Sequence, residues 1–303
     1  MFSCLLVLGL SLLTIQQGAS PASTPQPVSS ATWATNAAND YTIHPNITYL
    51  TAENYEAKLD VYRPLNNQKP VPTVVYFHGG GWVGGTRSAN VMEILPYLEM
   101  GWAVVNVDYR LASVSLAPAA VEDCRCALKW VITHAEQYKF DVKRIVLSGR
   151  SAGGHLALTT GFLATTANLD WRCYYDEAPM DLKVAAIVNW YGITDVTELI
   201  SGPSLRTWAA SWLGPNADRI KTAELVSPLN SVRKGVPPVL TIHGDADPVV
   251  PYSQAVRLHR ALNGVGTPNK LITVPRGNHG GFSSKDTAEI YAAIRSFLKE
   301  HLH

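Results

Sequence analysis

The sequence predicts an α/β fold with a mainly parallel central sheet flanked by helices. Short, apolar, β-branched segments alternate with longer segments of helical period, and this alternation is typical of βαβ units around a parallel sheet. Of the 303 residues, 47% are hydrophobic and 16% are charged, which is enough apolar material for a large core. No heptad pattern or fixed-period repeat is present, which excludes fibrous and solenoid folds. We therefore expect one large domain.

Strands are predicted where β-branched and aromatic residues cluster between turn residues. Helices are predicted in the intervening segments, where apolar residues recur at spacings of three and four. The predicted strands are Lys58–Tyr62, Thr73–Phe77, Ala103–Val107, Arg144–Leu147, Val184–Asn189, Val239–Ile242 and Lys270–Val274. The clearest predicted helices are Val91–Met100, Ala119–Tyr138, Ala152–Leu163, Ser253–Asn263 and Ser284–His301.

Two long segments, residues 165–182 and residues 191–233, interrupt this alternation. Long excursions from a compact sheet are often lids or binding loops. We interpret residues 191–233, which contain Trp208 and Trp212, as a small cap inserted over the functional site. The alternative is that these tryptophans only pack a small helical insertion.

The charge balance argues against two classes of partner. Lys and Arg number 25, Asp and Glu number 24, and the formal net charge is +1. A protein that binds nucleic acid or an anionic membrane surface normally carries a clear excess of positive charge. Neither partner is expected.

The N-terminus resembles an export signal. An apolar run at residues 4–15, too short to cross a bilayer, precedes a cluster of small residues at 18–20. We predict a signal peptide at residues 1–20, an uncharged flexible linker at residues 21–39, and a folded domain at residues 40–303. The protein is then secreted or periplasmic. The alternatives are a misassigned start and a buried N-terminal helix.

The cysteines allow one disulfide in the mature chain, from which Cys4 is lost with the signal peptide. Cys124 falls on the apolar stripe of a predicted helix, whereas Cys126 falls on another face. If a bridge forms, we favour Cys126 with Cys173. Three reduced cysteines without a function are equally compatible with the sequence. None of the spacings is that of a zinc site.

The strongest motif is GRSAGG at residues 149–154, which lies between a predicted strand and a predicted helix. This is the context of a nucleophile elbow, in which a sharp turn presents a serine hydroxyl at the edge of the sheet. Gly149 and Gly153 leave room for the strand and the helix to approach each other. The turn also places Ser151 at a helix N-terminus, which favours a developing negative charge. We predict that Ser151 is a nucleophile.

A serine nucleophile needs a base and a carboxylate that orients the base. After the strand Val239–Ile242 comes HGDADPVVP at residues 243–251, which offers Asp245 and Asp247. After the last predicted strand comes RGNHGGF at residues 276–282, which offers His279 in a glycine-flanked loop. We predict His279 as the base.

The other histidines of these motifs are assigned structural roles. His155 lies about one helical turn beyond Ser151 and is expected to pack within the protein. His243 opens the acid loop and His78 opens a glycine loop, so each is expected to fix a turn by hydrogen bonding.

A second glycine motif, HGGGW at residues 78–82, follows the strand Thr73–Phe77. Consecutive glycines let the backbone turn its N–H groups toward a tetrahedral oxyanion. We predict that Gly80, Gly81 and Ala152 donate these N–H groups. A phosphate loop is the alternative, but the sequence lacks the Lys-Ser/Thr of a P-loop and the helix-opening G-x-G-x-x-G pattern.

Together with DYRLA at residues 108–112, these motifs resemble the α/β-hydrolase carboxylesterases, both hormone-sensitive-lipase-like members and bacterial feruloyl and acetyl esterases. The order Ser, Asp, His is that of α/β hydrolases, and the resemblance favours Asp247 over Asp245 as the acid. Two departures bear on the substrate. Arg150 precedes the nucleophile where lipase-like members usually have Asp, and residues 113–114 are Ser-Val where those members have Pro-Glu.

The resemblance implies an α/β-hydrolase fold and a serine carboxylic-ester hydrolase with Ser151, Asp247 and His279 as its triad. It implies short-chain or aromatic acyl esters as substrates, including acetyl and feruloyl esters of plant polysaccharide, and no cofactor or metal. The alternatives are an amide or formamide hydrolase resembling kynurenine formamidase and an inactive binding protein with a hydrolase fold. Four tryptophans are candidates either for a substrate pocket or for the core: Trp171, Trp190, Trp208 and Trp212.

Overall fold

The computed structural model describes most of the predicted domain: residues 39–164 and 182–302, together with Met1, Thr32, Thr35, Ala167, Leu169, Trp171 and Cys173. Apart from Met1, Thr32, Thr35 and Asn39, the predicted signal peptide and linker lie outside the described residues. Most of the interruption predicted at residues 165–182 also lies outside them.

Eight strands form one sheet in the described part of the chain, and they include all seven predicted strands. Their order across the sheet is β1-β2-β4-β3-β5-β6-β7-β8. The pairs β1–β2 and β2–β4 are antiparallel, whereas the five pairs from β4 to β8 are parallel. The strands are β1 (Tyr41–Ala52), β2 (Tyr55–Pro64), β3 (Val71–Phe77), β4 (Ala103–Val107), β5 (Phe140–Arg150), β6 (Ala186–Trp190), β7 (Val239–Gly244) and β8 (Asn269–Val274).

The edge strand β1 is not among the predicted strands. Its first half is largely exposed, and its register shifts between His44 and Ile47, where Asn46 has a φ of 59°. Pro45 also falls in this stretch. An exposed edge with a bulge and a proline lacks the apolar alternation by which a strand is recognised in a sequence.

The helices follow the predictions with two corrections. The predicted helix Val91–Met100 is instead a 3₁₀ helix, Ser88–Ile94, followed by a short α-helix, because Pro96 cannot lie in the interior of a continuous α-helix. The predicted helix Ala119–Tyr138 is divided at His134, where φ is −98° and ψ is 15°. The α-helices are α1 (Leu95–Glu99), α2 (Ala119–Thr133), α3 (Ala135–Tyr138), α4 (Ala152–Phe162), α5 (Thr207–Leu213), α6 (Arg219–Leu225), α7 (Tyr252–Gly264) and α8 (Ser284–His301).

The sheet is covered on both faces. Val75 and Phe77 of β3 belong to a core that includes residues of α2 and α4. Their neighbours Val74 and Tyr76 belong to a second core that includes residues of α1 and α8. Because both faces are buried, the central strands are apolar at consecutive positions.

Residues 191–233, predicted as a cap, lie between β6 and β7 as α5, α6 and three short 3₁₀ helices. None of the described helices combines the length and the apolar character needed to span a membrane.

A disulfide joins Cys126 of α2 to Cys173, as the favoured pairing predicted. Cys124 is free and buried, and burial raises the pKa of its thiol well above its usual value. A buried thiol of this kind is expected to be unreactive.

Candidate active site

Ser151 lies on the turn between β5 and α4, at the carboxyl edge of the parallel strands. Its φ of 54° and ψ of −121° are strained for a residue with a side chain. The turn is fixed at both ends, because the Ser151 N–H donates to the Trp190 carbonyl at 2.9 Å and the Ser151 carbonyl accepts from the His155 N–H at 3.0 Å. A strained serine on a sharp turn between a strand and a helix is the geometry of the nucleophile elbow that the sequence predicts.

Two glycines allow this turn to form. A Cβ atom on Gly149 would lie 2.5 Å from the carbonyl oxygen of Phe77, and one on Gly153 would lie 2.0 Å from the same oxygen. Both distances are shorter than any real contact with a Cβ atom. The end of β3 therefore packs against the turn so closely that only glycine fits at either position.

His279 connects Ser151 to Asp247. The Ser151 hydroxyl donates to His279 Nε2 at 2.8 Å, and His279 Nδ1 donates to Asp247 Oδ2 at 2.7 Å. The carboxylate accepts only, so it fixes the proton of His279 on Nδ1 and leaves Nε2 as an acceptor. Tyr191 packs against the imidazole, with ring centroids 4.6 Å apart. The structure brings the predicted nucleophile, base and acid into one hydrogen-bonded chain.

Asp247 is held by several donors although its side chain is fully buried. Oδ1 accepts from the N–H groups of Val249 and Val250 at 2.7 and 3.0 Å, and Oδ2 contacts His243 Nε2 at 3.1 Å as well as His279. Burial alone would raise the pKa of Asp247, but the hydrogen bonds from His243, His279 and the backbone outweigh it and hold the pKa well below the ordinary value. Asp247 is therefore ionised in the folded protein near neutral pH.

Asp245, the alternative acid, lies outside this chain of contacts. Asp245 is exposed, and its Oδ1 accepts a hydrogen bond from the Arg276 N–H at 2.5 Å. It ties the acid loop to the loop that carries His279. In the structure, Asp247 contacts His279, whereas Asp245 contacts the Arg276 N–H.

The remaining histidines of the motifs have structural contacts. His78 stacks on Tyr109 at 4.3 Å, and its Nδ1 donates to the Gly79 carbonyl at 2.8 Å. His155 Nε2 donates to the Val226 carbonyl at 2.7 Å, and burial lowers the pKa of His155 to about 4. His243 Nε2 also lies 3.1 Å from the Val250 carbonyl. Since its neighbours at Nε2 are acceptors, His243 carries its proton there.

The glycine motif after β3 lies beside Ser151. Gly80 has a φ of 122° and Gly81 a φ of 60°, conformations that glycine adopts readily. Within the described residues, the N–H groups of Gly80 and Gly81 donate to no protein acceptor. Gly80, Gly81, Ser151 and His279 line the same cleft, of about 470 Å³. Ala152 follows Ser151 as the first residue of α4.

The four tryptophans have different positions. Trp208 of α5 lines the cleft, and its side chain lies 3.3 Å from a Cβ built on Gly81. Trp212 is fully buried and stacks on Trp82 at 4.0 Å, so it belongs to the core. Trp190 is buried beneath Arg150, whereas Trp171 is 59% exposed. Only Trp208 of the four lines this cleft.

Three polar residues of the same cleft, Asn90, Glu93 and Tyr191, are not among the site residues predicted from the sequence. Glu93 forms an ion pair with Arg150 at 2.9 Å. Its position in an irregular helix leaves no periodic signal in the sequence. Arg150, directly before Ser151, was the available signal, because a partly buried arginine requires an acidic partner.

The chain is similar in sequence to proteins that are named as esterases. The chain is 29% identical over 234 residues to the esterase LipC of Mycobacterium tuberculosis, covering 73% of this chain and 56% of LipC. It is 29% identical over 254 residues to the probable carboxylic ester hydrolase LipM of the same organism, covering 80% and 58%. The chain therefore spans little more than half the length of these relatives.

Solved structures agree with the fold. A truncated carbohydrate esterase from gut microbiota superimposes with a TM-score of 0.69 at 25% identity, covering 86% of this chain and 98% of that one. A propionate-bound thermophilic esterase from the planctomycete Thermogutta terrifontis gives 0.71 at 25% identity, covering 86% and 94%. The α/β-hydrolase fold predicted from the motifs is confirmed. The BD-FAE family profile matches residues 59–262, about two thirds of the chain, and the chain therefore belongs to the BD-FAE family of α/β hydrolases.

Proposed function

We propose that the protein is a serine carboxylic-ester hydrolase that works through an acyl-enzyme. The observation that carries this proposal is the hydrogen-bonded chain from Ser151 through His279 to Asp247, with distances of 2.8 and 2.7 Å, at the wall of an open cleft. Nucleophile, base and orienting acid within hydrogen-bond reach of one another are the signature of nucleophilic acyl transfer. The named esterases among its relatives support the same reaction.

In the first half-reaction, Ser151 Oγ attacks the ester carbonyl while His279 Nε2 accepts the hydroxyl proton. A bond forms between Oγ and the carbonyl carbon, and the carbonyl electrons move onto oxygen. Asp247 stabilises the imidazolium that results, because its carboxylate is already ionised and held by four donors. When the bond to the alcohol breaks, His279 gives the proton to the departing oxygen, and the acyl group stays on Ser151.

The negative oxygen of the tetrahedral intermediate needs hydrogen-bond donors. We assign this role to the N–H groups of Gly80, Gly81 and Ala152. The support is that the first two have no protein acceptor within the described residues, and that Ala152 begins the helix behind the nucleophile. Loss of one such donor typically costs about 3 kcal/mol of transition-state stabilisation.

In the second half-reaction, water replaces the alcohol. His279 Nε2 removes a proton from the water as it attacks the acyl carbon, and then returns the proton to Ser151 Oγ as the acid is released. The cleft is open to solvent, which gives water access to the acyl group.

The substrates we propose are esters of short-chain or aromatic acids, including acetyl and feruloyl groups on polysaccharide. Trp208 gives the cleft one aromatic wall, and the cleft volume of about 470 Å³ lies within the range of small-molecule sites. A carbohydrate esterase and a propionate-bound esterase among the similar structures support this choice.

We also propose that the protein is exported, as the apolar N-terminus suggests. The disulfide between Cys126 and Cys173 supports an oxidising compartment, because such bonds are rare in the cytosol. Separation of cells from medium or periplasm, followed by N-terminal sequencing of the released protein, tests both the destination and the cleavage near residue 20.

The reaction is tested by hydrolysis of 4-nitrophenyl esters from acetate to palmitate, together with methyl ferulate and acetylated xylan. We expect turnover of short esters in the wild-type protein, and a loss of at least about 10³-fold in Ser151→Ala. Ser201→Ala, which changes an exposed serine, is the matched control. A folded wild-type protein that hydrolyses no ester would overturn the proposal, and anilide and formamide substrates would then distinguish an amidase from a binding protein.

A further inference from the structure

One side of the cleft is formed by an ion pair, Glu93 and Arg150, which we call the polar wall. Arg150 Nη1 lies 2.9 Å from Glu93 Oε1, and both residues line the cleft together with Ser151. The Tyr76 hydroxyl donates to the second oxygen of Glu93. The Arg150 guanidinium lies over the ring of Trp190, 4.8 Å from its centroid. These contacts hold the pair in one position.

The polar wall retains capacity for a ligand. The side chains of Glu93 and Arg150 are 18% and 25% exposed. Each carboxylate oxygen accepts more than one hydrogen bond, and a guanidinium has several N–H donors. The pair can therefore accept from and donate to the same bound group.

The position of the wall determines which part of a substrate reaches it. Arg150 directly precedes Ser151, and both line the cleft. Because both residues line one cleft of about 470 Å³, a substrate whose ester bond lies at Ser151 can place a group attached near that bond against the wall.

The charge of the wall separates three classes of ester. An alkyl group would cover the pair without replacing its remaining water, which costs free energy because buried charges need polar partners. A carboxylate would be attracted by Arg150 and repelled by Glu93, so the neutral pair gives it no net gain. A hydroxyl group can donate to Glu93 and accept from Arg150, which replaces the lost water.

We propose that the polar wall binds neutral hydroxyl groups carried next to the ester, and so selects hydroxylated esters over alkyl and anionic esters of equal size. This inference rests on the proposed esterase activity and adds the residues that choose the substrate. The hydroxyl belongs either to the alcohol, as in a sugar, or to the acid, as in a hydroxy acid.

Two pairs of substrates distinguish these sources. On the alcohol side, a monoacetylated methyl glucoside is compared with cyclohexyl acetate. On the acid side, 4-nitrophenyl 3-hydroxybutyrate is compared with 4-nitrophenyl butyrate and with the anionic 4-nitrophenyl hemisuccinate. We expect the wild-type kcat/KM to favour the hydroxylated ester in at least one pair by about 10- to 100-fold, because hydrogen bonds to charged groups contribute about 1.5–3 kcal/mol.

Glu93→Gln tests the residues themselves. It removes the charge that balances Arg150, so we expect the preference for the hydroxylated ester to fall at least about tenfold and hydrolysis of the hemisuccinate to rise relative to the butyrate. Glu99→Gln is the matched control, because Glu99 pairs with Arg295 outside the cleft, and its substrate ratios should equal those of the wild type.

The outcomes separate this inference from the esterase proposal. No hydrolysis of any ester by the wild type contradicts both. Hydrolysis of alkyl esters with no preference for a hydroxylated partner in either pair contradicts the inference alone. Equal loss on every substrate in folded Glu93→Gln shows that the pair only supports the turn, which also overturns the inference. If Glu93→Gln does not fold, the wild-type ratios of kcat/KM between hydroxylated and alkyl esters test the inference by themselves.

Discussion

The turn that carries Ser151 and the loop that carries Asp247 hold their side chains by different means. At the turn, backbone atoms of β3 pack so closely that Gly149 and Gly153 admit no Cβ atom. In the acid loop, the carboxylate of Asp247 is fixed by donors from His243, His279 and two backbone N–H groups. The first site depends on shape and the second on hydrogen bonds. A substitution at the turn should therefore affect the whole fold, whereas one in the acid loop should act mainly on catalysis.

The largest effect is expected for Gly153→Ala. In a helix this change usually stabilises by up to about 1 kcal/mol, but here the new Cβ would lie 2.0 Å from the Phe77 carbonyl oxygen. Backbone atoms cannot move aside as a flexible side chain can, so the steric clash should outweigh the gain in helix propensity. We expect the free energy of unfolding to fall by about 3 kcal/mol or more. Denaturant unfolding measures this change.

The control for Gly153→Ala is Gly264→Ala, at the last residue of α7, where a Cβ would meet nothing within 4 Å. This variant should be as stable as the wild type or slightly more stable. Equal stability of the two variants would show that close packing does not govern the turn.

His243→Leu is expected to have an intermediate effect. It removes one donor from Asp247 Oδ2, which loosens the carboxylate and the imidazole that it orients. A misplacement of this kind costs about 10- to 100-fold in kcat. His243→Gln can place an N–H donor at the position of Nε2, so it should recover most of the loss, whereas a purely steric role for His243 would leave the two variants alike.

Acid unfolding gives a second measurement on the same pair of variants. The folded protein lowers the pKa of Asp247 below its ordinary 3.8, so Asp247 adds stability above that pH and loses the contribution as the pH falls through the lowered pKa. Loss of the His243 donor raises the pKa of Asp247. On acidification, His243→Leu should therefore unfold at a higher pH than His243→Gln, as followed by circular dichroism.

The smallest effect is expected for Asp245→Asn in the same loop. Asp245 is exposed and accepts one hydrogen bond, from the Arg276 N–H, which the amide oxygen of Asn can also accept. Stability should change by no more than about 0.5 kcal/mol, as for most surface substitutions, and kcat/KM should stay within about twofold of the wild-type value. A loss comparable to that of His243→Leu would mean that Asp245 helps to place His279.

The positions of Ser151, His279 and Asp247 followed from the sequence because each lies in a motif directly after a strand. Carboxyl ends of parallel strands meet at one edge of a sheet, so chain order was enough to bring the three together. Edge strand β1 could not be found in this way, since its bulge and exposed residues hide the period of a strand.

The partner of Arg150 could not be found either. Glu93 is 57 residues from Arg150 in the sequence and lies in the 3₁₀ helix Ser88–Ile94, which directly precedes α1. Which acidic residue meets Arg150 depends on how this segment packs over the strand ends, and no local pattern specifies that packing. For the same reason, the sequence does not show that Trp208 lines the cleft whereas Trp212 is buried in the core, because this difference also depends on tertiary packing.

The disulfide closes residues 126–173 into a covalent ring that contains β5, the turn with Ser151 and α4. Ser151 lies inside this ring, whereas Asp247 and His279 lie outside it. A single peptide-bond cut anywhere inside the ring leaves the protein as one covalent unit. Such a nicked protein would run as one species on a gel until a reducing agent separated its two pieces.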